Sequence, residues 1–315
     1  MNTETSGAAR GLRDRLLRTL ALNRGARLNF PGVFMGLYGR QVGGQEIELE
    51  FDDGALFRDA SGEVSWPALC VLLDVALGSV TRLKAGPTMR PATVHLIVQM
   101  TGESTREHLV THARFASQCT DAAVSQAITS ATVTSGDKVV AHASGTFVML
   151  ELPPGQTQVV LPWVPEEVEA TPLRASDLDE SERETLKSCR RAEAAATEEH
   201  PFIDHFWSGI PKAANGKAQL TAKVTPHLGN RVGHVHGGVL LGTAARVAIA
   251  AAPAGMRLAN ISAWFVSPGQ PPRMKVRSEV LQQSRNFAVV RTRIIGATGK
   301  LVLEVTSQHT AALPR

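Results

Sequence analysis

One order of hydrophobic patterns occurs twice in this 315-residue chain, and that repetition restricts the fold more than any single motif. In the first half, Phe34-Met35-Gly36-Leu37-Tyr38-Gly39 and Gln45 to Phe51 read as two strands joined near Gly43-Gly44. Ile47, Leu49 and Phe51 share one face of the second, and Glu46, Glu48 and Glu50 the other. A turn-rich segment, Asp52 to Gly62, leads to an apolar helix from Ser65 to Gly78, with Ser65 as N-cap and Pro67 in its first turn. Gly86-Pro87 ends it. Four strands are expected after it: Thr93 to Met100, Leu109 to Ser117, Ala122 to Thr134, and Val139 to Leu150.

The second half runs in the same order. Lys217 to Val224 stands where Gln45 to Phe51 stood, and Gly233-His234-Val235-His236 where Gly62-Glu63-Val64-Ser65 stood. A small, apolar helix extends to Ala252, closed by Pro253. Asn260 to Val266, Met274 to Leu281, Asn286 to Ile295 and Leu301 to Thr310 supply the strands. The class predicted is α+β, an antiparallel sheet curled around a central helix, built twice in one chain.

Four segments follow: a basic extension over 1–31, a first repeat over 32–152, a connector over 153–199, and a second repeat over 200–315. The extension carries Leu12, Leu16, Leu17 and Leu20 at helical spacing. Its arginines fit a transit peptide too, but Glu4 and Asp14 count against one, so it is read as a surface helix on the first repeat. The connector is punctuated by proline and holds one charged helix, Asp177 to Ala196, capped by Asp177 or Ser176.

Charged residues make up 20% of the chain and the net charge is only +4, spread along it, which gives no nucleic-acid footprint. Cys70, Cys119 and Cys189 lack metal-ligand spacing and read as free thiols of a reducing, cytoplasmic setting. No apolar run spans a membrane without a charge or proline.

The chemistry concentrates at Asn230 to Ala245. His236-Gly237-Gly238 opens the second helix, and a helix start exposes backbone N–H groups that favour an anion or a polarised carbonyl oxygen. Asn, five residues, then His-Gly-Gly on a buried helix resembles the hotdog-fold acyl-CoA thioesterases of the phenylacetate-pathway and 4-hydroxybenzoyl-CoA type. The resemblance implies a double hotdog, the covalent counterpart of the family's dimer. In that family an acidic residue follows the His by nine positions; here that position is Ala245.

Aligning Gly62 on Gly233 places Ser65 on His236, Trp66 on Gly237, Pro67 on Gly238, Asp59 on Asn230, and Asp74 on Ala245. The first repeat keeps a carboxylate without the glycine turn, and the second keeps the turn without the carboxylate. In the family the two come from different subunits. The resemblance therefore implies one composite site, with Asp74 as general base or nucleophile, the Gly237 N–H for the oxyanion, Asn230 orienting water or the carbonyl, and His236 in support. Gly238, Ser79, Thr81 and Arg246 are expected at the substrate, with Arg82 and Arg257 as further candidates for phosphates. No metal or cofactor is expected; coenzyme A enters as part of the substrate, and a homodimer is anticipated.

Plainer readings stand beside these. Asp74 fits the solvent stripe of its helix, His236-Gly237-Gly238 fits a turn needing positive φ, and Cys70 fits a core residue. His200-Pro201-Phe202-Ile203-Asp204-His205-Phe206 resembles a string of the hotdog dehydratases, but it precedes the strands of the repeat. It reads as a short helix corresponding to Asn29 to Leu37, with Phe202 and Phe206 packed on the sheet. Alternative functions are a non-catalytic acyl-CoA-binding protein and, with less support, an acyl-CoA hydratase or dehydratase.

Overall fold

The computed structural model describes residues 3–26, 29–51, 54–119, 125–152, 154–157 and 170–311. In the first half, α1 (Thr3–Ala26) and α2 (Phe30–Met35) precede β1 (Tyr38–Gly43), β2 (Glu46–Glu50), α3 (Trp66–Ala85), β3 (Met89–Met100), β4 (Leu109–Cys119), β5 (Gln126–Ser135) and β6 (Lys138–Glu151). After α4 (Glu180–Ala195) come α5 (Phe202–Trp207), β7 (Lys212–Ala214), β8 (Lys217–Lys223), α6 (Gly237–Ala251), β9 (Met256–Phe265), β10 (Arg273–Gln283), β11 (Phe287–Gly296) and β12 (Leu301–Ala311).

The strands form one 12-stranded sheet in the order β1-β2-β4-β5-β6-β3-β9-β12-β11-β10-β8-β7. Each half contributes the same order, and the halves meet where β3 pairs antiparallel with β9, from His95 opposite Trp264 to Gln99 opposite Asn260. The α+β class and the repeat read from the pattern are those of the molecule. Alternating strands such as β12, with Leu303, Val305, Ser307 and His309 buried, turn one face onto the helices.

The two central helices touch backbone to backbone. A Cβ on Gly238 would lie 2.5 Å from Val71 Cα, and one on Gly242 would lie 2.6 Å from Pro67 Cα. Glycine at both positions sets the separation of α3 and α6, which brings the start of α6 alongside the middle of α3.

Three local expectations need correction. The first strand does not begin at Phe34: Phe30–Met35 is helical, because Asn29 Oδ1 accepts the Gly32 N–H at 2.7 Å and Pro31 pre-sets the first turn, and β1 starts only at Tyr38. The connector helix starts at Glu180 and is capped by Asp179, which forms a capping box with Glu182; Ala175–Asp177 is a separate 3₁₀ turn. Leu186, Cys189 and Ala192 of this helix are buried. Phe202 and Phe206 lie on α5 as a helical pair, but their rings meet Phe34 of α2, at 6.2 and 5.1 Å between centroids. Pro162 and Pro165 of the connector, and Ala122 of the fifth strand, lie outside the described residues.

The extension packs as its leucines suggest. Leu12, Leu16, Leu17 and Leu20 are buried, and Arg15 donates to the carbonyls of Phe34 and Met35 at the end of α2.

Candidate active site

The loop before each central helix is built the same way. Asp59 Oδ1 accepts the N–H groups of Ser61 and Glu63, at 2.8 and 3.2 Å. Asn230 Oδ1 accepts those of Val232 and His234, at 3.0 and 3.1 Å. Gly62 and Gly233 follow with φ of 81° and 77°, a left-handed turn that glycine adopts without strain. The next residues cap the helices: Ser65 accepts from the Ala68 N–H, and His236 Nδ1 from the Gly238 N–H. The side-chain oxygen of Asn230 is thus committed to the turn, in a role that Asp59 performs equally in the other half.

The difference between the halves lies at the helix starts. Asp74, in the middle of α3 and 7% exposed, faces the start of α6. Its Oδ2 accepts the Gly238 N–H at 2.8 Å, and its Oδ1 accepts the Thr93 hydroxyl at 3.0 Å. A Cβ on Gly237 would fall 2.7 Å from Oδ2, so the carboxylate fills the space a side chain would need. Among the described residues no acceptor satisfies the Gly237 N–H. This leaves one helix-start donor open next to a carboxylate held by another.

His236 Nδ1 lies 3.3 Å from Asp74 Oδ2. Since Nδ1 accepts from Gly238, it carries no proton, and the two groups share one donor rather than forming an ion pair. Burial holds the His236 pKa below its ordinary value, against the pull of Asp74 and with the push of Arg82. The ring is neutral at pH 7.

These groups line a cavity of about 380 Å³ between α3, β3, the loop before α6 and the loop after β9. Asp74, Ser79, Asn230, His236 and Gly237 all reach it, and so do Thr93, Arg82, Arg90 and Arg231. Val75, Gly78, Phe147 and Leu240 supply apolar wall. Ser79 donates to the Val75 carbonyl at 2.6 Å, so its hydroxyl proton is taken.

Three expected substrate contacts do not reach this cavity. Gly238 spends its N–H on Asp74 and its Cα surface on Val71. Thr81 is fully buried and bonded back to the Leu77 carbonyl, one turn earlier on its own helix. Arg246 is ion-paired with Asp204 of α5, and burial pushes its pKa down to about 10. Arg257 is exposed on β9. Conversely, sequence reasoning missed Thr93, whose pairing with Asp74 depends on β3 packing beside α3.

The pseudo-equivalent position offers no such arrangement. Ala245 replaces the carboxylate, Trp66 replaces Gly237, and Pro67, which has no N–H, replaces Gly238. Pro67 Cα lies against Gly242 instead. Among the described residues, no cluster of three or more His, Cys, Asp or Glu side chains is placed to hold a metal ion. No described helix is long and apolar enough to cross a membrane.

Comparison with known proteins agrees with this architecture. Residues 226–310 match the family described as acyl-CoA thioesterase N-terminal domain. Among solved structures, a protein with hotdog fold from Alicyclobacillus acidocaldarius is similar at a TM-score of 0.54 and 11% identity, over 88% of this chain and 97% of that one. An acyl-ACP thioesterase from Bacteroides thetaiotaomicron is similar at 0.51 and 12% identity, over 84% and 98%. No curated protein sequence matches the chain. The solved structures share the hotdog fold with this chain, and the sequence match to the acyl-CoA thioesterase domain lies within its second repeat.

Proposed function

We propose that the chain hydrolyses acyl-CoA thioesters at a single composite site, with the carboxylate from the first repeat and the helix start from the second. One observation carries this reading: Asp74 is bonded to the Gly238 N–H at 2.8 Å while the adjacent Gly237 N–H, in the same cavity, has no acceptor among the described residues.

The chemistry follows from where charge develops. A thioester carbonyl directed at the Gly237 N–H becomes an oxyanion as it is attacked, and donors of this kind are worth roughly 3–4 kcal/mol. With Asp74 as general base, the carboxylate takes a proton from water as the water oxygen adds to the carbonyl carbon; the C–S bond then breaks and the thiolate recovers a proton. With Asp74 as nucleophile, its oxygen adds to the carbonyl carbon, the C–S bond breaks to release the thiolate, and water then cleaves the mixed anhydride to the free acid and the Asp74 carboxylate, the proton from water going to the thiolate. Both routes use the same carboxylate, held by Thr93 and Gly238. Asn230 acts mainly by shaping the loop, with its amide nitrogen left for the substrate. The reaction needs no cofactor. We also propose that the chain pairs with a second copy, which light scattering measures directly.

The test is a panel of acyl-CoAs of varied chain length together with the binding stoichiometry of a non-hydrolysable thioether analogue. Hydrolysis of a panel member with one analogue bound per chain is the expected result. Tight binding without any turnover favours the non-catalytic binding protein, and two analogues per chain contradict the single site.

A further inference from the structure

The cavity that holds Asp74 also holds an unsatisfied cation. Arg82 lies in the last turn of α3, eight residues beyond Asp74, and lines the same space. Its Nε and Nη1 are buried and, among the described residues, have no hydrogen-bond partner. Arg231, from the loop before α6, lines the cavity too and raises the positive charge there. Burial, reinforced by Arg231 and opposed by Asp74, pushes the Arg82 pKa down to about 9, which leaves it cationic at pH 7.

A buried guanidinium with open donors is costly unless an anion completes it. The planar fork matches a carboxylate in particular. Two positions in a bound thioester offer an anion: the phosphates of the carrier and the far end of the acyl group. Arg82 is close enough to Asp74 and His236 for their charges to act on one another. It therefore belongs to the reacting end of the cavity, whereas the pantetheine arm holds the phosphates far from the sulfur. An unsubstituted fatty acyl chain would lie against Arg82 and leave it unpaired.

We infer that the site takes an acyl group which itself ends in a carboxylate, the half-thioester of a dicarboxylic acid, with Arg82 as the residue that holds the distal carboxylate. Val75, Phe147 and Leu240 would flank the intervening methylenes. The inference rests on the thioester site proposed above and adds its substrate class.

The test is a binding ratio, so it does not depend on turnover. The carboxybutyl and hexyl thioethers of CoA differ at the acyl end and share every phosphate. The intact protein is expected to bind the carboxybutyl analogue at least about tenfold more tightly, the range of a charge-assisted pair. Arg82→Gln is expected to bring the ratio to within about twofold of one, and Arg82→Lys to hold it between the two values. Calorimetric melting of each variant verifies folding. A ratio near one in the intact protein overturns the inference, as does a ratio that survives Arg82→Gln. Equal weakening of both analogues, with the ratio unchanged, assigns Arg82 to the phosphates and overturns it as well. If the ratio behaves as expected but glutaryl-CoA is not hydrolysed, the anion subsite stands and the hydrolase reading falls.

Discussion

The Asp74 carboxylate occupies the place where a side chain on Gly237 would begin, 2.7 Å from that position to Oδ2. A residue with a Cβ cannot sit at 237 unless the carboxylate moves. Gly237→Ala is therefore expected to lower kcat by about 100-fold, the scale of a disturbed oxyanion site, while the melting temperature changes little. Steady-state kinetics beside a melting curve checks this. A variant with full activity would mean that the carboxylate is not held where the reaction occurs.

Gly238→Ala acts one residue later through a different cause. Its new Cβ would meet Val71 Cα at 2.5 Å and the Cys70 carbonyl oxygen at 2.6 Å, both backbone atoms that cannot swing aside. Forcing α3 and α6 apart is expected to cost about 1–3 kcal/mol. Urea unfolding should show the loss directly; an unchanged midpoint would contradict the close helix contact.

Asn230 and Asp59 occupy the same turn with the same pair of backbone bonds. Asn230→Asp is thus expected to preserve stability, and Asn230→Ala to lose about 1 kcal/mol, the value of a local side-chain-to-backbone bond. If the amide nitrogen contacts substrate, the Asp variant keeps its fold and loses activity. Equal activity in both would restrict Asn230 to the loop.

His227 makes stability depend on pH. It is buried beside Phe206, donates through Nε2 to the Phe206 carbonyl at 2.9 Å, and has an unpartnered Nδ1 among the described residues. Burial pushes its pKa from 6.5 down to about 4. The unfolded chain therefore binds a proton that the folded one refuses. The stability in question is fully present above pH 6.5 and is lost as the pH falls towards 4, by on the order of 3 kcal/mol. His309 is shifted in the same direction. His227→Gln, which keeps a donor for Phe206, should flatten the slope of stability between pH 6.5 and 4 without abolishing it. An unaltered slope would remove His227 from the account.

The repeat, the central helices and the Ser65 cap were legible because each follows from local pattern: alternation, apolar periodicity and a capping side chain before a helix. The offset between Asp74 and Ala245 was legible for the same reason, since the loop and the first turns of the helix keep one spacing in both halves. Less could be read where stability comes from tertiary packing. The six-residue α2 is too short to be set by propensity and rests on Asn29, Arg15 and the rings of α5. Its last residues, Phe34 and Met35, run on through Leu37 and Tyr38 and look like the start of a strand when taken alone. Thr93 and Arg82 carry no motif; their meaning appears only when β3 and the loop before α6 close around the end of α3. Arg246 illustrates the converse, a cation near the motif in sequence whose partner is Asp204.

The most direct test of the composite site is Asp74→Asn, which keeps the size of the side chain and an oxygen for the Gly238 N–H. Single-substrate kinetics on the best acyl-CoA, beside a melting curve, should show kcat reduced by about 100-fold or more with the fold intact. An Asp74→Asn protein that turns over thioester at the rate of the parent would place the reacting carboxylate elsewhere and contradict the pairing of the two repeats.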